Sequence, residues 1–276
     1  MPSTDFEAGR LRSPAPRTYW VEAIVLRVIP YGERDRILAL YTRQRGKLSA
    51  IAKGSRNPLT RLAPATQLFT HGRYFLAQGK TFEVVTQVRI LGSFERLRRD
   101  IGLMAACAQC CEMLMKSVPD GEPDDRLFDD LLSALRVADR GADCEMVLAA
   151  FVARLLMHLG YMPRLKRCVR CGNAVGTGKV HFSMEHGGAV CKACSNAYGC
   201  DATVSEDAVK LILMATRHGL YEAVHSRALK HAAFEASHLL TRFWQYHFQA
   251  QLQSLRVREQ LHAHERRGIE QHADKV

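Results

Sequence analysis

The chain lacks any long apolar run. Its most apolar stretch, around Met146 to Tyr161, is broken by Arg154 and His158 and falls short of the roughly 20 residues that a membrane span needs. Residues 1–18 hold three prolines and three arginines but no apolar core of a signal peptide, so they read as a flexible tail on a cytoplasmic protein with no membrane role. The parts of common enzymes are missing too. Gly79-Lys80-Thr81 has the look of a phosphate-binding loop end, but the glycine required five positions earlier is replaced by Tyr74. A nucleobase deaminase needs H-x-E and a proline before its cysteine pair; Ser183 stands two residues after His181, and neither C-x-x-C follows a proline. No Asp, Glu and His cluster has the spacing of an open catalytic metal site. The expectation is a protein that is not an enzyme and takes no nucleotide.

Acidic residues are also in short supply. There are 39 Lys and Arg against 28 Asp and Glu, a net charge of +11, and such a surface draws polyanions. The imbalance is concentrated in residues 19–92, where twelve Lys or Arg face four Asp or Glu.

That same segment is rich in β-branched and aromatic residues with period-two stretches such as Ile37, Ala39 and Tyr41. Turn signals at Pro30-Tyr31-Gly32, Arg45-Gly46, Gly54 with Asn57-Pro58, His71-Gly72 and Gln78-Gly79 divide it into about five strands. The spacing predicts a small antiparallel barrel or sandwich. After Ser93 the period becomes helical, with Leu97, Ile101, Met104 and Ala108 expected on one buried face. Further helices are expected around Leu127 to Leu135, from Asp143 to Leu159, from Ser205, and over residues 227–252. The fold class is α+β and multidomain: a barrel over 19–92, a helical domain in two parts over 93–163 and 201–255, an inserted four-cysteine module over 164–200, and a polar tail over 256–276.

Nine cysteines without an export signal belong in a reducing compartment. Cys168-x2-Cys171 and Cys191-x2-Cys194 form two tight knuckles whose sulfurs can converge on one ion. Four thiolates complete a tetrahedral shell and leave no position for water or substrate, so the expected cofactor is one structural Zn²⁺ per chain. His181 and His186 are the alternative ligands, and reduced thiols or a redox pair the alternative chemistry. Cys107, Cys110 and Cys111 sit in an apolar helical run and read as small core residues.

Between positions 34 and 61 lie Arg34, Arg36, Arg43, Arg45, Lys47, Lys53, Arg56 and Arg61, with Asp35 as the one acid. Arg34 and Arg36 share strand parity, while Arg43, Arg45 and Lys47 bracket the Gly46 turn, so these cations can line a groove that tracks a phosphate backbone. Tyr31, Tyr41, Tyr74 and Phe75 are candidates for base stacking, although Tyr41 and Phe75 suit a barrel core equally.

The motifs Glu22-Ala-Ile-Val-Leu-Arg, Tyr31-Gly-Glu-Arg-Asp-Arg-Ile, Arg45-Gly-Lys-Leu-Ser-Ala-Ile-Ala-Lys-Gly-Ser-Arg56 and Leu159-Gly-Tyr-Met-Pro, followed by Cys168-x2-Cys-Gly, resemble the RecO recombination mediators in order and spacing. The resemblance runs through Phe182-Ser183 and Gly187-Gly188 to Cys194 and covers about residues 19–220. It implies an N-terminal OB-fold that binds single-stranded DNA, a helical C-terminal domain and the zinc module. It further implies DNA repair and recombination by annealing complementary strands and, with RecR, helping load RecA on DNA coated by single-strand binding protein (SSB), near the nucleoid. Arg34, Arg36, Lys47, Lys53 and Arg56 match the basic positions of the family's barrel motifs; Asn57 stands where a further cation is expected. The acidic, apolar-ended SSB tail docks on the family's helical domain, expected here around Arg217 to Arg242. A zinc-containing RNA-binding or regulatory adaptor is the alternative from another class.

Overall fold

The computed structural model describes residues 17–258 and 260, so most of both expected tails, residues 1–16 and 261–276, lie outside the described residues. Five strands close an OB-like barrel: β1 (Thr18–Tyr31), β2 (Asp35–Thr42), β3 (Gly46–Ala52), β4 (His71–Ala77) and β5 (Glu83–Gly92), in the order β1-β2-β3-β5-β4. All neighbours are antiparallel except β3 and β5. The 14-residue β1 serves two partners, pairing through its first half with β4 and through its second with β2. A register shift between Val25 and Arg27 bends it on the way, as barrel closure requires.

Val21, Ala23, Val25, Leu38, Leu40, Tyr74 and Leu76 fill the barrel. Ile24, Leu26 and Tyr41 belong instead to the core of the helical half. Both faces of mid-β1 are therefore buried, and Ala23 to Leu26 read as a continuous apolar run without alternation.

His71-Gly72, expected as a turn, lies inside β4. The chain takes a left-handed step earlier, at Phe69 (φ 69°), whose side chain is fully buried. Gly72 serves close approach: a β-carbon there would lie 2.9 Å from the Arg89 carbonyl oxygen on β5.

Helices α1 (Ile101–Ser117), α2 (Asp125–Asp139) and α3 (Cys144–His158) follow. Asp100, Asp124 and Asp143 cap them by accepting hydrogen bonds from first-turn backbone N–H groups. The inserted module contributes β6 (Lys179–Ser183), β7 (Gly188–Val190), α4 (Lys192–Tyr198) and β8 (Ala202–Ser205), with sheet order β7-β6-β8. Ser205 caps α5 (Glu206–His218), and α6 (Leu220–Val224) and α7 (Ala233–Phe248) complete the domain. Helix α3 is buried on nearly every side, with α1, α2, α5, α6 and α7 packed around it. That is why the most apolar stretch of the sequence is a core helix.

Two expectations are corrected here. In α1 the deeply buried residues include Leu103, Cys107, Cys110 and Leu114, whereas Ile101 is 65% exposed and Met104 and Ala108 are half-buried. Small apolar residues on both sides of this helix leave periodicity unable to select its inward face. The single helix expected over 227–252 is instead a 3₁₀ segment (Arg227–Ala232) and α7, which ends where Gln249 turns left-handed (φ 47°). After that break the chain returns to α1. The Glu112 carboxylate accepts from the backbone N–H groups of Gln253 and Ser254, and the buried Arg258 reaches Gln109 (2.6 Å) and Glu145. No helix among the described residues is long and apolar enough to cross a membrane.

Candidate nucleic-acid interface and metal centre

The fold sorts the seven candidate cations into two groups. Arg34 lies in the β1–β2 turn and not on a strand, so the parity expected with Arg36 does not apply. The Arg56 backbone N–H donates to the Arg34 carbonyl (2.9 Å) and its guanidinium to the Gly32 carbonyl (2.6 Å), while Gly54 N–H donates to Asp35 (2.8 Å). These bonds hold the β1–β2 turn against the loop after β3. Arg34, Lys53 and Arg56 are all exposed there, with no ion pair among the described residues. Arg45, at the β2–β3 turn, is exposed and stacks its guanidinium 4.0 Å over the Tyr19 ring.

The other three are engaged inside the molecule. Arg36 donates to Thr66 Oγ1 (2.7 Å) and the Ala63 carbonyl (3.3 Å). Arg43 bridges the two halves: it meets Glu22 at 3.3 Å on β1, and Asp129 at 2.6 Å and Asp125 at 3.5 Å on α2, and lies 4.4 Å over the Phe128 ring. Lys47 donates to the Met115 carbonyl (2.7 Å) and stands 3.2 Å from Asp120. The β2–β3 hairpin is thus pressed against the helices, and a cation there positions the domains as much as it presents charge.

Among the candidate aromatics, Tyr41 and Tyr74 are fully buried and so are core residues, Phe75 is half-buried, and Tyr31 is 52% exposed. Trp20, absent from the sequence-based candidates, is 46% exposed and lies 5.0 Å from Phe75 between ring centroids. Its signal was available: residues 18, 20 and 22 share the parity that faces away from the barrel interior.

Cys168, Cys171, Cys191 and Cys194 converge with their sulfurs all within 4.8 Å of one another. Tetrahedral zinc with Zn–S bonds of about 2.3 Å would place them about 3.8 Å apart, and the Cys171 to Cys191 separation is 3.6 Å. Gly172 N–H to Cys168 O (3.0 Å) and Cys168 N–H to Asn173 O (2.8 Å) build the first knuckle, Val169 N–H to Ala189 O (2.9 Å) ties it to β7, and Ser195 N–H to Cys191 O (2.9 Å) closes the second. Gly172 is left-handed (φ 75°), a conformation glycine adopts at little cost.

Burial opposes ionisation of the Cys168 thiol, but donors on the backbone of Cys191, Cys171 and Arg170 outweigh it and bring the pKa down to about 6. Its neighbours Cys171 and Cys191 push Cys194 up to about 12. Four sulfurs this close repel one another as thiolates, and a cation between them removes that conflict. The donor set therefore fits a metal ion. His181 faces Thr203 and Cys200 instead, and His186 faces Ser183. Burial drives Cys107, Cys110 and Cys111 well above the ordinary thiol value, in keeping with inert core residues.

A hollow between the module and the helices has an apolar floor of Met157, Met162 and Leu213 and a basic rim that includes Arg164, Lys166 and Arg217.

Comparison with known proteins covers both halves. The family described as Recombination protein O N terminal matches residues 17–94, and that described as Recombination protein O C terminal matches residues 98–256. The DNA repair protein RecO of Anaeromyxobacter sp. strain K is 32% identical over 240 residues, covering 86% of this chain and 94% of its own. That of Desulfitobacterium hafniense strain DCB-2 is 37% identical over 176 residues, and the match spans 64% of each chain. The RecO of Symbiobacterium thermophilum is 37% identical over 181 residues, 64% of this chain and 72% of its own.

Proposed function

The chain belongs to the RecO family, and on that premise we propose that it binds single-stranded DNA on its barrel, anneals complementary strands and, with RecR, helps load RecA on SSB-coated DNA. The observation that carries this reading is the exposed group of Arg34, Lys53 and Arg56, set side by side by the turn-to-loop bonds of the barrel end. Although Glu33 and Asp35 flank Arg34, none of the three cations forms an ion pair among the described residues, and cations in that state gain from phosphates, because binding releases the counterions condensed on the strand. Arg45 adds a fourth exposed charge. Arg36, Arg43 and Lys47 act by fixing the strands that carry these groups.

The four cysteines hold one zinc ion that folds the inserted module, since a full thiolate shell offers no open position for chemistry. The protein works without catalysis or nucleotide, beside DNA in the cytoplasm. The hollow with Arg217 on its rim takes the acidic, apolar-ended tail of SSB, its floor receiving the apolar end and its rim the carboxylates. Arg217→Glu then abolishes binding of the isolated tail peptide and leaves binding to bare DNA unchanged; equal tail binding rules out that hollow.

The decisive experiment is the rate at which complementary strands precoated with cognate SSB anneal, with and without the protein, in the absence of nucleotide. Acceleration is expected. No acceleration, together with a preference for RNA, would replace this reading by an RNA-binding adaptor.

A further inference from the structure

The helical half covers part of the outer barrel. Ile24 and Leu26 of β1 and Tyr41 of β2 belong to its core, with Ala39 packed against it, and the β2–β3 hairpin is held by Arg43 and Lys47. In OB-folds generally, the face of the second and third strands with its adjoining loops receives the strand. Here part of that face is occupied by the protein's own helices. An open outer surface is formed by the first half of β1 with β4 and β5.

Register places six residues there. Trp20 pairs with Phe75 and Glu22 with Arg73 across β1 and β4; Phe75 pairs with Gln87 and Arg73 with Arg89 across β4 and β5. Side chains alternate faces along a strand, and burial agrees: Tyr74 and Leu76 are buried, whereas Trp20, Arg73, Gln87 and Arg89 are exposed. The Trp20 and Phe75 rings lie 5.0 Å apart at 31°, forming one apolar shelf. Arg73 and Arg89 stand directly opposite each other, an arrangement that weakens a sheet. Neither has an ion pair among the described residues. The nearest acid in register, Glu22, is already taken by His71 (2.8 Å) and Arg43 (3.3 Å). The fold therefore bears the repulsion of two arginines with no acid among the described residues paired to relieve it.

We propose that the outer face of β1, β4 and β5 is a stacking platform for single-stranded nucleic acid, with bases on Trp20 and Phe75 and phosphates against Arg73 and Arg89. Residues two apart on a strand are about 7 Å apart, so Arg73 and Phe75 can engage the phosphate and the base of one nucleotide. The surface is distinct from the Arg34, Lys53 and Arg56 group, which adjoins the opposite end of β1. This inference rests on the proposed DNA-binding function and adds a second contact for the strand.

The test uses the full chain. Trp20 is exposed while Trp244 is fully buried, so the emission lost in Trp20→Phe belongs to Trp20. That difference signal is titrated with oligo-dT and with an abasic oligomer of equal length, while anisotropy of the labelled oligomer reports binding. Oligo-dT is expected to quench Trp20, and the abasic oligomer to bind without quenching. Trp20→Ala with Phe75→Ala should weaken oligo-dT binding about tenfold or more and leave abasic binding unchanged. Arg73→Glu with Arg89→Glu should flatten the salt dependence by about 1.4 in log–log slope. Binding without quenching, or an unchanged slope, overturns the platform and leaves the DNA-binding reading intact. Absence of any binding overturns both.

Discussion

Gly46, at the start of β3, lies against the backbone of Glu122: a β-carbon on Gly46 would stand 2.2 Å from the Glu122 carbonyl oxygen. The backbone there is also left-handed (φ 60°). Gly121 N–H completes the contact by donating to the Lys47 carbonyl (3.0 Å). The barrel and helices therefore meet through main chain, with little tolerance at this point.

Gly46→Ala is expected to destabilise the protein by about 2 kcal/mol or more, combining left-handed strain with overpacking. Gly32→Ala is the control, because its φ is 57° but nothing lies within 4 Å of the added carbon; backbone strain alone costs about 1 kcal/mol. Denaturant titration of both variants separates the terms. Equal losses would mean that the Glu122 contact carries no energy.

Cys168→Ser should lower bound metal below about half an equivalent and reduce thermal stability, since ligation free energy is folding free energy. Elemental analysis after purification without chelator, combined with a melting curve, checks both. A variant with full metal content would rule out Cys168 as a ligand.

Lys53→Glu with Arg56→Glu should weaken binding to single strands strongly and flatten its log–log salt dependence by about 1.4 or more. Because Arg56 also donates to Gly32, a melting curve must accompany the measurement. An unchanged slope in a folded variant would remove these residues from the interface.

Burial pushes the His71 imidazole below its ordinary value, against the opposing pull of Glu22 2.8 Å away. A base depressed in the folded state binds fewer protons folded than unfolded, so its contribution to stability is complete above the unfolded value. It declines as pH falls below about 6.5 toward the folded value. Melting temperature should drop from about pH 7.5 to about 5.5, and the drop should shrink in His71→Gln. Identical profiles would assign the acid sensitivity to other groups.

How far the sequence exposes this architecture depends on the kind of signal. Cys168, Cys171, Cys191 and Cys194 are found together because two-residue spacing is a local property that survives folding. The helix beginning at Glu206 is legible for the same reason: Ser205, Glu206 and Asp207 state an N-terminus within three residues. Arg43 and Lys47 differ. Their charge is plain in the sequence, but their partners Asp129 and Asp120 are more than seventy positions away, and no local pattern shows that a cation is already engaged. Trp20 escaped because its importance lies in register with Phe75, 55 positions later. Gly72 misled because close approach and a turn both call for glycine.

Arg258 acts as a clasp across the helical half. Its guanidinium reaches Gln109 on α1 and Glu145 on α3, and the Glu145 carboxylate also accepts from Ser237 on α7. Glu145 thereby joins α1, α3, α7 and the segment after α7 in one buried polar network at the centre of the helical half. The outer apolar residues Ile24, Leu26 and Tyr41 of the barrel pack into that same core. The outer wall of the barrel and the segment around Arg258, more than two hundred residues apart along the chain, thus share one body of packing, and a change at either end is felt by the same helices.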